Sequence, residues 1–419
     1  MSNYFKVKEH GSTVRTEIMA GVTTFMAMAY ILMVNAGMFS SLGTVSYGAI
    51  YIATAISAVI GTVLIGLLAN LPLAQASGMG LNAFFVYTVC FTFGLSYANG
   101  LVLVLVDGIV FVLLTVTGLR KMIFDAIPAA VKTAISAGIG LFIAFIGLQN
   151  SGLCVDSATL VGIISFPENF HTAGICALLT LIGLFFTAVF YTRKMKGAIL
   201  YGILLTWILG MLCQVTGLYV PTPDAGFYSL FPSWGMTDFS RLGLTFGQCF
   251  NVDFSNVGIV NFIIVVFSFL FVDIFDTLGT LIGVATKADM LDEEGRLPGI
   301  KPALMADAIG TTVGAVMGTS TITTFVESAS GVAVGGRTGL TALTTGLLFL
   351  ASMFFAPIFT AIPSFATAPA LMMVGYLMVS TVTEIRFDED NMAEAIPAYL
   401  AIVAMPLFYS ISEGISMGI

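Results

Sequence analysis

Four carboxylates lie in apolar stretches whose predicted spans contain no lysine or arginine. Asp273 and Asp276 occur in F-V-D-I-F-D-T-L-G-T-L-I-G (271–283), three apart and so on one helical face. Asp307 occurs in L-M-A-D-A-I-G-T (304–311), and Glu327 in T-T-F-V-E-S-A-S-G (323–331). A carboxylate near a bilayer centre costs at least about 2.5–3.5 kcal/mol on insertion scales, so such residues read first as functional. Low dielectric favours the neutral form of an acid, which allows it to hold a transferable proton near neutral pH. The ionised form accepts charge-assisted hydrogen bonds and suits a ligand bearing ring N–H groups. Bland roles stand beside these: Asp273 or Asp276 as a backbone cap, and Asp307, nearer a helix end, as a brace between helices.

The elements that must position these groups are membrane spans. Residues of the apolar set make up 58% of the 419, only 9% are charged, and mean hydropathy is +1.01. A soluble domain is typically about a quarter charged, so the solvent covering this chain is lipid. Between Glu17 and Asp107 there is no acidic or basic residue, and a second such run lies between Arg337 and Glu384. A spanning helix takes roughly 20 residues, so these runs hold three and two spans. No basic patch interleaved with aromatics points to nucleic acid. The polar start M-S-N-Y-F-K-V-K-E-H does not resemble a cleavable signal. The five cysteines (Cys90, Cys154, Cys176, Cys213 and Cys249) have no metal or redox spacing; Cys154 and Cys249, both in predicted outer loops, are the one candidate pair. No cofactor or metal is expected.

Apolar runs predict segments near 18–40, 47–69, 73–95, 98–119, 131–149, 173–191 and 197–217, then a wetter stretch over 218–257. Further segments follow near 258–285, 303–318, 320–334, 338–357, 366–382 and 394–416, thirteen in all. With the N-terminus cytoplasmic, Lys6, Lys8, Arg15, Arg120, Lys121, Lys132, Arg193, Lys194, Lys196, Lys287, Arg296, Lys301, Arg337 and Arg386 all fall inside, and Arg241 alone falls outside. This is the bias expected of short cytoplasmic loops; Arg337, opening segment eleven, reads as an orientation anchor. The expected organisation is a first half over 1–217, an outer connection over 218–257 and a second half over 258–419. Thirteen spans leave the second half one short, so a fourteenth is expected beyond Ile419.

Segments three, L-P-L-A-Q-A-S-G-M-G-L-N-A-F-F (71–85), and ten, M-G-T-S-T-I-T-T-F-V-E-S-A-S-G (317–331), are not ordinary helices. Each opens with small, β-branched or Pro/Gly residues and turns to helix formers just after a polar side chain. Irregular backbone at membrane depth is tolerated where it is buried in protein or lines a cavity. Inverted-repeat transporters place such breaks at corresponding positions of two halves, with substrate between them. Close helix packing through small residues is the alternative reading. Asn82 offers a donor and acceptors and is expected to face Glu327 across this pseudo-symmetric site. Phe84 and Phe325 flank it; each either stacks on a planar ring or, like most of the 35 phenylalanines, packs in the core or against lipid.

Several strings match one family. A-G-V-T-T-F-M-A-M-A-Y-I-L-M-V-N (20–35), Q-A-S-G-M-G-L-N-A-F-F (75–85), V-D-I-F-D-T-L-G-T (272–280) and T-S-T-I-T-T-F-V-E-S-A-S-G-V-A-V-G-G-R-T-G-L-T-A (319–342) resemble the AzgA-like branch of the nucleobase–ascorbate transporter superfamily, over nearly the whole chain. Members of that branch carry adenine, guanine and hypoxanthine. The resemblance implies an all-α polytopic fold of two inverted seven-span repeats, arranged as core and gate domains, usually dimeric, with short strands in segments three and ten. It implies proton-coupled uptake of purine nucleobases through the cytoplasmic membrane. Glu327 and the aspartates of segment eight would hold the base, Asn82 would contribute from segment three, and Asp307 would brace or couple the site together with Glu327 and Asp276. Whether Asp273 or Asp276 touches substrate stays open, although the pattern carboxylate-x-x-Gly points to Asp276 before Gly279.

Two other readings compete. An anion carrier on the same architecture would be lined by cations or helix N-termini, not by carboxylates. A membrane-embedded enzyme would need a histidine, cysteine or multi-carboxylate constellation at one depth, and both histidines, His10 and His171, fall in predicted loops.

Overall fold

The computed structural model describes residues 4–119, 129–157, 160–195, 197–222, 227–232, 235–252, 258–287, 290, 297–325, 327–359, 361–409 and 411–418. The first half comprises α1 (Val14–Met28), α2 (Tyr30–Ser40), α3 (Tyr47–Ala69), β1 (Gln75–Ser77), α4 (Met79–Ala83), α5 (Tyr97–Thr117), α6 (Ala129–Asn150), β2 (Cys154–Ser157), β3 (Leu160–Ile163), α7 (Ile175–Thr192) and α8 (Ala198–Val215). The second comprises α9 (Ile259–Lys287), α10 (Ile300–Met317), β4 (Ile322–Thr324), α11 (Ser328–Val334), α12 (Gly339–Ser352), α13 (Ser364–Val379), α14 (Met392–Leu407) and α15 (Ile411–Gly418). Among the described residues, eight helical stretches are long and apolar enough to cross a membrane.

Local chemistry sets the helix ends. Ser46 and Ser96 cap α3 and α5 by accepting from the amides of Ala49 and Asn99, satisfying donors that have no partner within the helix. Gly118, at φ 77°, ends α5, and Asn70, at φ 54°, ends α3. The 23 residues of α3 rise about 35 Å at roughly 1.5 Å each, enough for the hydrocarbon layer.

The long helices sort into two packing groups. In one, α3 packs on α10 and α12, α10 on α5, and α1 on α11 and α12. In the other, α6 packs on α13 and α14, and α13 on α7 and α8. Each group draws helices from both halves of the chain, so neither half closes a core by itself.

The two broken segments behave as the sequence indicated. Segment three runs through β1 into the five-residue α4, then continues as a π-helix over Phe84–Thr92. Segment ten leaves α10 at Gly318 (φ 99°), passes through β4 and re-forms as the seven-residue α11. The two strands pair antiparallel, Ala76 opposite Thr323.

One expectation is corrected. The single span predicted over 394–416 is two helices, α14 and α15, that fold back on each other around Tyr409 (φ 54°). A Cβ on Gly414 would meet Met405 Cγ at 2.2 Å and Ala401 O at 3.0 Å, so the hairpin closes only with glycine there. Hydropathy is blind to a reversal inside an apolar run. At eight residues, or about 12 Å, α15 is too short to cross a membrane by itself.

The connection over 218–257 carries no long helix among its described residues, only short 3-10 turns at Phe239–Leu244 and Gln248–Phe250. All five cysteines are free, Cys154 and Cys249 included.

Candidate functional site

The strand pair is the centre from which the site is built. Beyond the three paired residues on each side, Phe325 N–H donates to Ala74 O (3.1 Å) and Gly78 N–H to Thr321 O (3.0 Å). Isolated three-residue strands are not stable in water or lipid; these are buried completely or nearly so between α3 and α10. Ser328 Oγ accepts from Ala74 N–H at 3.0 Å, which ties the start of α11 to the strand of the other half.

Glu327 precedes α11 and remains partly exposed while Tyr30, Phe325 and Ser328 around it are buried. The Tyr30 hydroxyl donates to Glu327 Oε1 at 2.6 Å. Tyr30 begins α2, one residue after the break at Ala29. The carboxylate is therefore held through one oxygen by segment one. Nothing in the polarity pattern singled out Tyr30; its signal was its place in the family string M-A-Y-I-L.

Asn82 is fully buried but does not reach Glu327. Its Oδ1 accepts from Ser77 Oγ (2.6 Å) and its Nδ2 donates to Ser77 O (3.3 Å). Ser77 Oγ lies 3.1 Å from Thr319 Oγ1, which accepts from Asn35 Nδ2 (3.0 Å); Asn35 also donates to Thr54 (2.7 Å). The asparagine thus anchors β1 within a buried polar chain linking α2, α3, α4 and the approach to β4.

Asp273 and Asp307 are both fully buried, on α9 and α10, and Thr277 Oγ1 stands between them at 3.1 Å from Asp273 Oδ1 and 2.9 Å from Asp307 Oδ1. The Asp276 side chain lies outside the described residues. Phe84 is buried edge-to-face against Phe269, centroids 4.8 Å apart, and Phe325 is 6% exposed. Both pack as core in this conformation.

Glu17, to which no role was assigned from its position at a span's edge, is fully buried. Its Oε1 accepts from Arg337 N–H (3.0 Å), and its Oε2 from Thr338 N–H (3.3 Å) and Thr341 Oγ1 (2.5 Å). A carboxylate on these amides is the charge that a helix start favours, here the start of α12. Arg337, expected as an orientation anchor, donates from Nη1 to Val332 O and Gly336 O at 2.8 Å and so closes the C-terminal end of α11. Glu17→Ala is expected to strand two amides and a hydroxyl, costing about 2–4 kcal/mol. The detergent-purified variant should melt a few degrees lower (roughly 1 °C per kcal/mol at this size); an unchanged melting temperature would remove the capping role.

A half-open cavity of about 150 Å³ lies elsewhere, between the start of α3 and the connection over 218–257, lined by Gly48, Ile52, Thr237, Asp238 and Arg241 among others. Ser240, through its hydroxyl and amide, holds the Asp238 carboxyl below the usual carboxylate range, with a further contribution from Arg241. None of the membrane carboxylates lines this cavity.

Apolar spans, two interrupted segments joined at their breaks and acidic groups buried beside them define a polytopic membrane transporter. A sequence profile of the Permease family matches residues 15–416, and the chain belongs to that family, as its motifs indicated. The guanine/hypoxanthine permease PbuG of Bacillus subtilis is 42% identical, with 100% of this chain and 92% of the relative covered. The adenine permease AdeP of Escherichia coli is 38% identical, with 100% and 88% covered. Among solved structures, the transmembrane domain of a cyanobacterium bicarbonate transporter, BicA, matches with a TM-score of 0.66 at 14% identity over 96% of both chains, a likeness of fold alone.

Proposed function

We propose that this chain takes up purine nucleobases together with protons across the cytoplasmic membrane, its N-terminus inside, by alternating access of the two packing groups around the strand pair. The observation that carries the reading is Glu327, a partly exposed carboxylate at the break of segment ten, held through one oxygen by Tyr30. Its remaining acceptor capacity suits a planar base with ring N–H donors. High identity to permeases for guanine, hypoxanthine and adenine supports the substrate class.

Proton counting supports the coupling. Thr277 has one hydroxyl proton and stands within bonding distance of two carboxylate oxygens. Both contacts are hydrogen bonds only when Asp273 or Asp307 supplies a proton of its own. The group is a natural place to load and release one.

The test is uptake of labelled hypoxanthine, guanine, adenine, uracil and xanthine by cells expressing the chain, with and without a protonophore. Uptake of at least one of the first three, collapsing with the protonophore, is the expected result. A well-expressed protein that moves none of them refutes the substrate class, and protonophore-insensitive accumulation refutes the coupling.

A further inference from the structure

The tripeptide Ile-Gly-Thr occurs twice in the chain, at 60–62 on α3 and at 309–311 on α10. The structure brings the two copies together. A Cβ on Gly310 would meet the Gly61 Cα at 3.5 Å and Ile322 Cγ2 at 3.2 Å, and one on Gly61 would meet Ile322 Cγ2 at 2.8 Å and Gln75 Cβ at 3.2 Å. The two helices thus cross at their glycines, with the strand pair resting on the crossing.

The neighbouring threonines make the same contact on opposite strands. Thr62 Oγ1 donates to Gln75 O (2.8 Å) and accepts from Gln75 N–H (2.9 Å). Thr311 Oγ1 donates to Ile322 O (3.2 Å) and accepts from Ile322 N–H (3.1 Å). Gln75 and Ile322 are each the first residue of their strand, and both threonines are fully buried. In a two-stranded sheet each strand has one edge that no strand covers, and a buried, unpaired backbone edge is not tolerated. Each edge here is closed at that residue by one hydroxyl acting as both donor and acceptor.

We infer that Gly61-Thr62 and Gly310-Thr311 are a matched pair of positioning devices that fix the strand pair on the helix crossing and, through it, set the placement of Glu327. Glu327 lies only five residues beyond Ile322, so the strand's seat determines where the carboxylate stands. The threonines do not touch substrate. The effect on transport rests on the purine reading above; the edge closure does not.

The experiment compares Thr62→Val and Thr311→Val with Thr62→Ser and Thr311→Ser in the full chain. Valine keeps the shape and removes the hydroxyl, whereas serine keeps the hydroxyl. Hydrogen–deuterium exchange of peptides spanning 71–78 and 319–325 should accelerate in the valine variants and stay at the wild-type rate in the serine ones. The KM for hypoxanthine uptake should rise about tenfold with valine at either site, from two hydrogen bonds lost, at unchanged surface expression and with serine restoring it. Where a valine variant does not assemble, Thr→Cys, a weaker donor of similar size, takes its place against Thr→Ser. Wild-type exchange in the valine or cysteine variants overturns the closure. Wild-type KM alongside faster exchange overturns the positioning role. Should the wild-type chain move no purine, the substrate reading fails while the exchange result still judges the closure.

Discussion

Glu327→Gln is expected to weaken hypoxanthine binding and uptake by about 100-fold, the upper range for loss of a charge-assisted hydrogen bond. The glutamine carbonyl can still accept from the Tyr30 hydroxyl, now 2.6 Å from Oε1, so the scaffold of segment one survives the change. What is lost is the second oxygen, replaced by an NH2 that meets the N–H of a base donor to donor. The loss should therefore appear in affinity while the purified protein keeps its melting temperature. Competition binding with labelled hypoxanthine on membranes of matched expression reads it directly. Affinity within about threefold of wild type, under half of one hydrogen bond's usual range, would remove Glu327 from the base site.

The second large effect is expected at Asp307. Asp307→Asn leaves a neutral group that Thr277 can still contact, at 2.9 Å in the native protein, but removes one of the two carboxylates between which the proton is shared. Concentrative uptake should fall at least about tenfold, the gradient that roughly 1.4 kcal/mol of coupling sustains. Exchange of labelled for unlabelled base across proteoliposomes, which needs no net proton movement, should persist. Thr277→Val should move both readouts the same way, because it removes the hydroxyl between the two aspartates. Concentrative uptake that survives in both variants would place proton coupling elsewhere; exchange that disappears with it would make Asp307 part of the base site.

Several features of this arrangement were legible as chemistry on a line of letters. Acids without basic neighbours stand out in an uncharged run, and Asp273 and Asp307 prove to be fully buried and Glu327 partly so. The breaks at 71–78 and 318–327 were visible because Pro, Gly and β-branched residues replace helix formers there. Their pairing was carried by the family resemblance, since three-residue strands have too little periodicity to announce a partner. The local bonds of Asn82 were not legible: an amide five residues past Ser77 is satisfied through that residue's hydroxyl and carbonyl, a contact that depends on the turn between them. Tyr30 and Glu17 escaped notice because a tyrosine amid apolar residues reads as core, and a glutamate at a span's edge reads as solvated. The reversal around Tyr409 escaped because the run over 394–416 reads as one apolar stretch. Its trace was the polar Y-S-I-S-E-G at 409–414.

The register of the strand pair also bears on how the protein is made. Ala76 and Thr323 face each other across 247 residues of chain. At roughly 5–20 residues per second, a ribosome needs about 12–50 s to supply the second strand after the first has emerged. Throughout that interval the edge of β1 that β4 will cover has no partner of its own, although Thr62 is already present to close the other. The nascent first half must be sheltered for that time, by the insertion machinery or by temporary pairing, and a ribosome stall between the two strands would prolong the exposure. Slow codons or truncations in this interval are thus predicted to provoke quality-control degradation even where every span inserts correctly.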